Sequence, residues 1–133
     1  MESRPQSLAE VAQRVLLSKD GQDCFGGQFK DFLHEFNKMS SQDQKNALAR
    51  CPPSLNEWRK DIGKVYDVYL AAAAIELARA SHMEAPGWSM PRRLDHPWFA
   101  LPGKFIRNIL IMESPPAFRE RNLFVSENAL SVA

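Results

Sequence analysis

The sequence predicts an all-α fold: one compact domain, residues 1–133, of five to six helices. Apolar residues recur at three- and four-residue spacings in most segments, which is typical of amphipathic helices. Three of these segments open with a serine followed three residues later by Glu or Gln, the pattern of a capping box. Prolines and glycines separate the segments. The longest helical pattern, at about residues 55–81, predicts a central helix against which the others pack.

The first predicted helix follows residues 1–6, which we expect to be frayed. Ser7 and Glu10 form its capping box. Lys19-Asp20-Gly21 ends it, because glycine readily takes the left-handed conformation found at helix ends. The apolar face of this helix is formed by Leu8, Val11, Ala12, Val15 and Leu16.

Two further helices are predicted before the central one. An aromatic stripe after Cys24 has helical spacing and predicts a core-facing helix. Ser41 and Gln44 form a capping box for a short polar helix, which Cys51-Pro52-Pro53 ends because proline lacks a backbone N–H donor. The aromatic stripe consists of Phe25, Phe29, Phe32, Leu33 and Phe36.

The central helix is predicted to begin at the capping box of Ser54 and Glu57. Over 26 residues it would be about 39 Å long at 1.5 Å per residue. Gly63 is its weak point, at a cost of up to about 1 kcal/mol relative to alanine. The small side chains of 71–74 would let another helix approach closely.

Residues 82–103 form a long loop rich in proline and glycine. Loops of this length inside a compact domain are usually functional or packed by their own side chains, and the apolar residues of this loop predict that it is pinned to the domain. Next comes a helix at Lys104–Glu113, with Phe105, Ile106, Ile109 and Leu110 predicted to face inward. Ser114 is the predicted N-cap of a helix at 117–121, followed by an extended piece at 123–125 and a turn capped by Ser126.

Composition excludes several functional classes. The 17 basic and 16 acidic residues nearly balance, so no overall positive charge attracts nucleic acid. The longest apolar run, Tyr69–Ile75, is far shorter than the roughly 20 residues that span a bilayer. The N-terminus lacks a signal-peptide pattern. We therefore expect a cytoplasmic protein with no membrane association, in which Cys24 and Cys51 stay reduced.

No residue pattern predicts catalysis, a metal or a cofactor. His34, His82 and His96 are far apart and lack metal-ligand spacing, and neither a phosphate-binding glycine loop nor a nucleophile elbow is present. Asp95 and His96 could form an acid–base pair, but adjacent residues before Pro97 favour a turn. We therefore predict that the protein is not an enzyme, with a small enzyme using Asp95 and His96 as a lesser alternative.

The basic segment Met90-Pro91-Arg92-Arg93 lies beside aromatic residues of the loop. Such a segment could stack on single-stranded nucleic acid or form the rim of a protein interface, where Trp, Met and Arg are enriched. The balanced charge favours a protein partner. Nucleic acid remains the less favoured partner.

Four stretches carry a resemblance to a known family: 29–39 (FKDFLHEFNKM), 67–78 (DVYLAAAAIELA), 85–99 (APGWSMPRRLDHPWF) and 113–133 (ESPPAFRERNLFVSENALSVA). Together they cover 59 of the 133 residues, and with them the chain resembles the small bacterial companion proteins encoded beside nucleotidyltransferase-like genes in toxin–antitoxin pairs. The resemblance implies an antitoxin-like subunit that binds and restrains a partner enzyme, a nucleotidyltransferase-like toxin encoded nearby.

A chain without a catalytic pattern is expected to act through a surface. We predict that this surface combines the loop with the C-terminal segment, and that Arg92→Glu together with Arg93→Glu weakens partner binding while leaving thermal stability nearly unchanged. Each aromatic in the set could instead be a core residue. The predicted partner-binding residues are Trp88, Arg92, Arg93, His96, Trp98, Phe99, Phe118, Arg119, Arg121, Asn122 and Phe124.

An alternative function is a DNA-binding transcriptional regulator. Small all-α proteins often carry a helix-turn-helix, and the polar segment 42–50 is short enough to be its second helix. An aromatic helix before this segment and two prolines after it disfavour this alternative.

Overall fold

The structure, a computed structural model, describes residues 4–18 and 23–131. Within these ranges it contains six α-helices and two short strands, which confirms the predicted all-α fold. The helices are α1 (Leu8–Leu16), α2 (Phe25–Phe36), α3 (Ser41–Ala49), α4 (Lys60–Ala80), α5 (Lys104–Glu113) and α6 (Pro116–Arg119), and the strands are β1 (Trp98–Phe99) and β2 (Leu123–Phe124).

Helix α4 is the central helix: α3, α6 and β2 pack directly against it, while α1 packs against α2 and α3, and α5 packs against β2. Its four consecutive alanines, 71–74, are completely buried, because neighbouring elements approach the helix closely where the side chains are small. The aromatic stripe of α2 is core, as predicted: all five of its members are at most 4% exposed. The two helices meet through Phe25 and Tyr66, whose rings stack with centroids 4.0 Å apart.

Helix α1 begins at the predicted capping box. The Glu10 N–H donates to the Ser7 hydroxyl at 3.0 Å, and the Gln6 N–H donates to the Glu10 carboxylate at 3.1 Å. Pro5 is fully buried, so the predicted fraying of residues 1–6 does not extend to Pro5 and Gln6. Residues 1–3 and the predicted helix end at Lys19-Asp20-Gly21 lie outside the described residues.

The first helical residue of α4 is Lys60, five residues later than predicted. The predicted capping box does not form, because the Ser54 hydroxyl donates instead to the carboxylate of Asp67 at 2.7 Å. The other oxygen of that carboxylate accepts the Leu55 N–H, also at 2.7 Å. These two hydrogen bonds hold residues 54–55 against the side of α4 as an irregular segment.

Helix α3 shows a smaller difference at its start. Ser40, rather than Ser41, is its N-cap, since the Ser40 hydroxyl accepts the Asp43 N–H at 3.2 Å.

The loop at 82–103 is pinned to the domain, as predicted. The indole of Trp88 donates to the Leu48 carbonyl at 2.9 Å, at the end of α3. Further along, β1 pairs in parallel with β2, with Trp98 opposite Leu123 and Phe99 opposite Phe124. This pairing joins the loop to the C-terminal segment, whose extended conformation was predicted. The pairing itself was not.

The prediction that Ser114 caps the following helix was wrong. Ser114 is the C-cap residue of α5, and its hydroxyl lies 2.6 Å from the Leu110 carbonyl and 3.0 Å from the Val125 carbonyl. The same hydroxyl accepts the Val125 N–H at 2.9 Å. Ser114 therefore attaches the end of α5 to the residue after β2, while α6 starts with Pro116 at its first position.

Candidate functional site

Arg92 and Trp88, two of the predicted partner-binding residues, hold the loop against the domain. The Arg92 guanidinium donates to the Pro52 carbonyl at 2.7 Å and to the Asp67 carbonyl at 3.3 Å. It also lies over the Trp88 ring, 5.1 Å from its centroid. Arg92 thus joins three separate parts of the chain, and its donors are used within the molecule.

Trp98, Phe99, Asn122 and Phe124 come together where the loop meets the C-terminal segment. The rings of Phe99 and Phe124 stack with centroids 4.9 Å apart, and the backbone N–H of Trp98 donates to the Asn122 carbonyl at 2.8 Å. Asn122 has a left-handed backbone (φ 63°), and its side-chain amide donates to the Leu94 carbonyl at 2.8 Å. These four residues form one contiguous structure that is half-buried.

Phe118 and Arg121 lie inside the domain. Phe118 has no exposed surface and packs edge-on against Tyr69, with ring centroids 5.0 Å apart. Arg121 is 3% exposed and donates to the Ala117 carbonyl at 3.2 Å, while the Glu120 carboxylate is 3.9 Å away. Burial and the nearby charge of Arg93 lower the pKa of Arg121.

Of the predicted partner-binding residues, Arg93, His96 and Arg119 have exposed side chains. Arg119 donates to the Ser114 carbonyl at 2.8 Å, at the C-terminal end of α5. Beside His96, the Asp95 carboxylate pairs with Lys64 at 3.3 Å. The predicted set is therefore not one continuous exposed surface, and most of its members connect the loop to the body of the domain.

The most exposed apolar side chains of the C-terminal half lie on α5. Phe105 is 78% exposed and Met112 is 81% exposed, and half-buried Ile109 lies between them. The spacing i, i+4, i+7 places these three side chains along one line of the helix, which we call the α5 ridge. Leu101 (51% exposed) lies just before the helix and Ile111 (42%) on its flank.

The prediction that Phe105 faces inward was wrong. Leu110 is the one residue of α5 that is buried, and Ile106 and Ile109 are half-buried. Helix α5 has apolar residues on several faces, and such a helix is normally enclosed on several sides. Here the domain covers one face only, so the α5 ridge is left in solvent. The all-round apolar pattern is the sequence signal that could have identified it.

The charges on either side of the α5 ridge are asymmetric. Lys104 lies to one side of the ridge and Glu113 to the other, whereas Arg107, two residues from both Phe105 and Ile109, lies near the opposite face of the helix. The guanidinium of Arg107 lies over the Phe99 ring, 5.1 Å from its centroid, so the helix is also joined to β1. The candidate site is therefore an apolar line with one basic residue on one side and one acidic residue on the other.

No group of three or more His, Cys, Asp or Glu side chains within residues 4–18 and 23–131 could hold a metal ion. Among the described helices, none is both long and apolar enough to cross a membrane. Comparisons of the chain with protein-family models, with curated proteins and with solved structures find no match.

Proposed function

We propose that the protein is a non-catalytic binding module, an antitoxin-like subunit that inserts the α5 ridge into an apolar groove of a partner enzyme. The observation that carries the binding proposal is the exposure of Phe105 and Met112 on a single helical line. Enclosing either side chain would contribute about 1.5–3 kcal/mol, which the isolated chain leaves unused. Aromatic residues and Met are enriched at protein interfaces.

A helix whose apolar residues follow an i, i+4, i+7 pattern has the form of the ligand in helix-in-groove recognition. Lys104 beside the ridge favours a groove with a carboxylate on the facing rim, because complementary charge speeds and orients association. The antitoxin role and the nucleotidyltransferase-like partner rest on the family resemblance of the four stretches.

The test is reconstitution with a purified partner. The partner that the resemblance implies, a nucleotidyltransferase-like protein encoded nearby, is mixed with the full chain, and the Kd is measured by titration calorimetry. We expect a 1:1 complex. Phe105→Glu together with Met112→Glu should raise its Kd at least a hundredfold, since each substitution would place a charge in an apolar groove. Leu17→Glu is the matched control, because Leu17 is also 81% exposed but lies at the end of α1.

Co-expression tests the antitoxin role. The wild-type chain and the Leu17→Glu variant should relieve growth arrest caused by the partner, and the α5 double variant should not. Equal binding by all three chains would exclude α5 as the docking element. A chain that binds only itself, anionic vesicles or operator DNA, with no affinity for the neighbouring enzyme, would overturn the proposal.

A further inference from the structure

A cavity of about 380 Å³ lies between α2, α4 and the C-terminal segment, away from the α5 ridge. Its volume lies within the 300–1,000 Å³ range typical of small-molecule sites. Five of its thirteen lining residues are aromatic, which is typical of sites that bind flat apolar molecules. The lining residues are Phe25, Gly26, Phe29, Lys30, Leu33, Val65, Tyr66, Tyr69, Trp98, Ala100, Val125, Ala129 and Ser131.

Four of the five aromatic rings of the cavity, those of Phe25, Phe29, Tyr66 and Tyr69, contact one another. Tyr66 stacks on Phe25 with an interplanar angle of 3°, and Tyr69 meets Phe25 and Phe29 edge-on at 86° and 88°. The two tyrosine hydroxyls are already used, by the carboxylate of Asp23 and by the Ala129 carbonyl. The cavity wall is therefore formed by rings fixed against one another, of which Phe25 and Phe29 are 4% exposed, and neither tyrosine hydroxyl is available as a donor.

Lys30 is the single charged residue in the described lining of this cavity. It is exposed on α2, one turn after Gly26. No carboxylate is part of that lining, and Asp23 beside it is engaged by Tyr66 and by the Phe25 N–H. The cavity thus combines an apolar aromatic interior with one positive charge at its edge.

Gly26 contributes to the open wall of the cavity. A Cβ at this position would meet no atom within 4 Å, so packing does not require a glycine here. Helix propensity does not favour it either, because glycine is among the poorest helix formers. Gly27 has equally open surroundings but is not part of the lining. A large side chain at position 26 would therefore occupy part of the cavity. The same side chain at position 27 would lie outside it.

We propose that this cavity binds a small, flat aromatic carboxylate, with its rings among Phe29, Tyr69 and Trp98 and its carboxylate near Lys30. The ring faces and edges would contact the ligand's π system, and the ammonium would pair with its anion at the mouth. This site is separate from the proposed protein-binding ridge.

The probe is 2-naphthoate, titrated into the full chain by calorimetry, with neutral 2-naphthamide as its matched ligand. We expect saturable 1:1 binding of naphthoate. Gly26→Leu should weaken it at least tenfold, and Gly27→Leu, which changes helix propensity in the same direction, should leave it unchanged. Lys30→Gln should weaken naphthoate about threefold, as for a solvent-exposed ion pair, without affecting naphthamide. Lys45→Gln on α3 is the charge control.

Thermal denaturation of each variant establishes that it is folded. No saturable naphthoate binding by the wild-type chain up to millimolar concentration would overturn the proposal. Equal losses with Gly26→Leu and Gly27→Leu would place the binding elsewhere, which also overturns it. Equal affinity of the wild-type chain for naphthamide and naphthoate would overturn the assignment of an anionic ligand. Phe105→Glu with Met112→Glu should not alter naphthoate affinity, so failure of the protein-partner proposal would leave this result intact.

Discussion

The carbonyl group of Leu55 lies against the backbone of Gly63, with no space for a side chain between them. A Cβ on residue 63 would stand 2.5 Å from the Leu55 carbonyl carbon and 3.0 Å from the Asn56 nitrogen, and would overlap the Leu55 oxygen. From sequence, Gly63 was a weak point of a helix that began before it. In the structure it is the position at which the preceding segment crosses α4.

Gly63→Ala should therefore destabilise the protein although alanine is the better helix former. We expect a loss of about 3 kcal/mol or more in the free energy of unfolding, because the clash involves backbone that two hydrogen bonds hold in place. Urea denaturation measures it. Gly27→Ala, a helical site with open surroundings, should instead gain up to about 1 kcal/mol. Similar gains in the free energy of unfolding from Gly63→Ala and Gly27→Ala would contradict the close approach of the Leu55 carbonyl to Gly63.

Asp67 should be important for stability, because its buried carboxylate holds the segment before α4. It accepts from the Ser54 hydroxyl and from the Leu55 N–H, both at 2.7 Å. Asp67→Ala should cost about 3 kcal/mol, since hydrogen bonds to charged groups contribute roughly 1.5–3 kcal/mol. Ser54→Ala should cost about 1 kcal/mol. Asp61→Ala, on the exposed side of the same helix, is the control and should have little effect on the denaturation midpoint.

The two neighbouring arginines of the loop should behave differently. Arg92→Gln should lower stability by about 2 kcal/mol, because it removes the contacts with Pro52, the Asp67 carbonyl and Trp88. Arg93→Gln should leave stability unchanged or raise it slightly, since Arg93 is exposed and its charge disfavours buried Arg121.

The sequence-based expectation that both arginines can be replaced without loss of stability is thus retained for Arg93 alone. Thermal denaturation of the two single variants distinguishes them. An equal effect of both substitutions would contradict this assignment.

Stability should fall at alkaline pH through Tyr69. Burial raises its pKa from 10.0 to about 12, so the fold favours the neutral phenol. The contribution of the neutral Tyr69 phenol to the free energy of unfolding is complete below pH 10. It is lost as the pH rises from 10 to 12, because Tyr69 then ionises in the unfolded chain but not yet in the folded protein. The loss should reach roughly 2.5 kcal/mol.

Tyr69→Phe serves as the reference for this effect. The difference in unfolding free energy between wild type and variant, measured in urea at several pH values, should be constant below pH 10 and decrease above it. A difference that does not change up to pH 12 would show that the hydroxyl titrates normally.

Local sequence patterns identified most of the helices and the aromatic core, because these depend on spacing within one element. The stripe from Phe25 to Phe36 is buried on α2 as its periodicity indicates, and the Ser7 hydroxyl caps α1 as predicted. The same local rule failed at Ser54, where a distant carboxylate competes for the hydroxyl. Asp67 is thirteen residues away, so no capping pattern includes it.

The candidate site was less predictable because exposure is a property of the whole fold. Arg92 and Trp88 are residue types enriched at interfaces, yet the carbonyl groups to which they donate lie 25 to 40 residues away in the chain and are brought close only when it folds. Phe105 is a residue type usually found in the core, yet no described element covers its side chain.

The sequence alone determined the fold class, the central helix and the residues of the aromatic core, because helical periodicity and burial are coupled within each segment. Only the tertiary structure decided where α4 begins, how β1 and β2 join the loop to the C-terminal segment, and which face of α5 remains in solvent. Those outcomes depend on contacts between residues far apart in the chain, which local spacing does not encode.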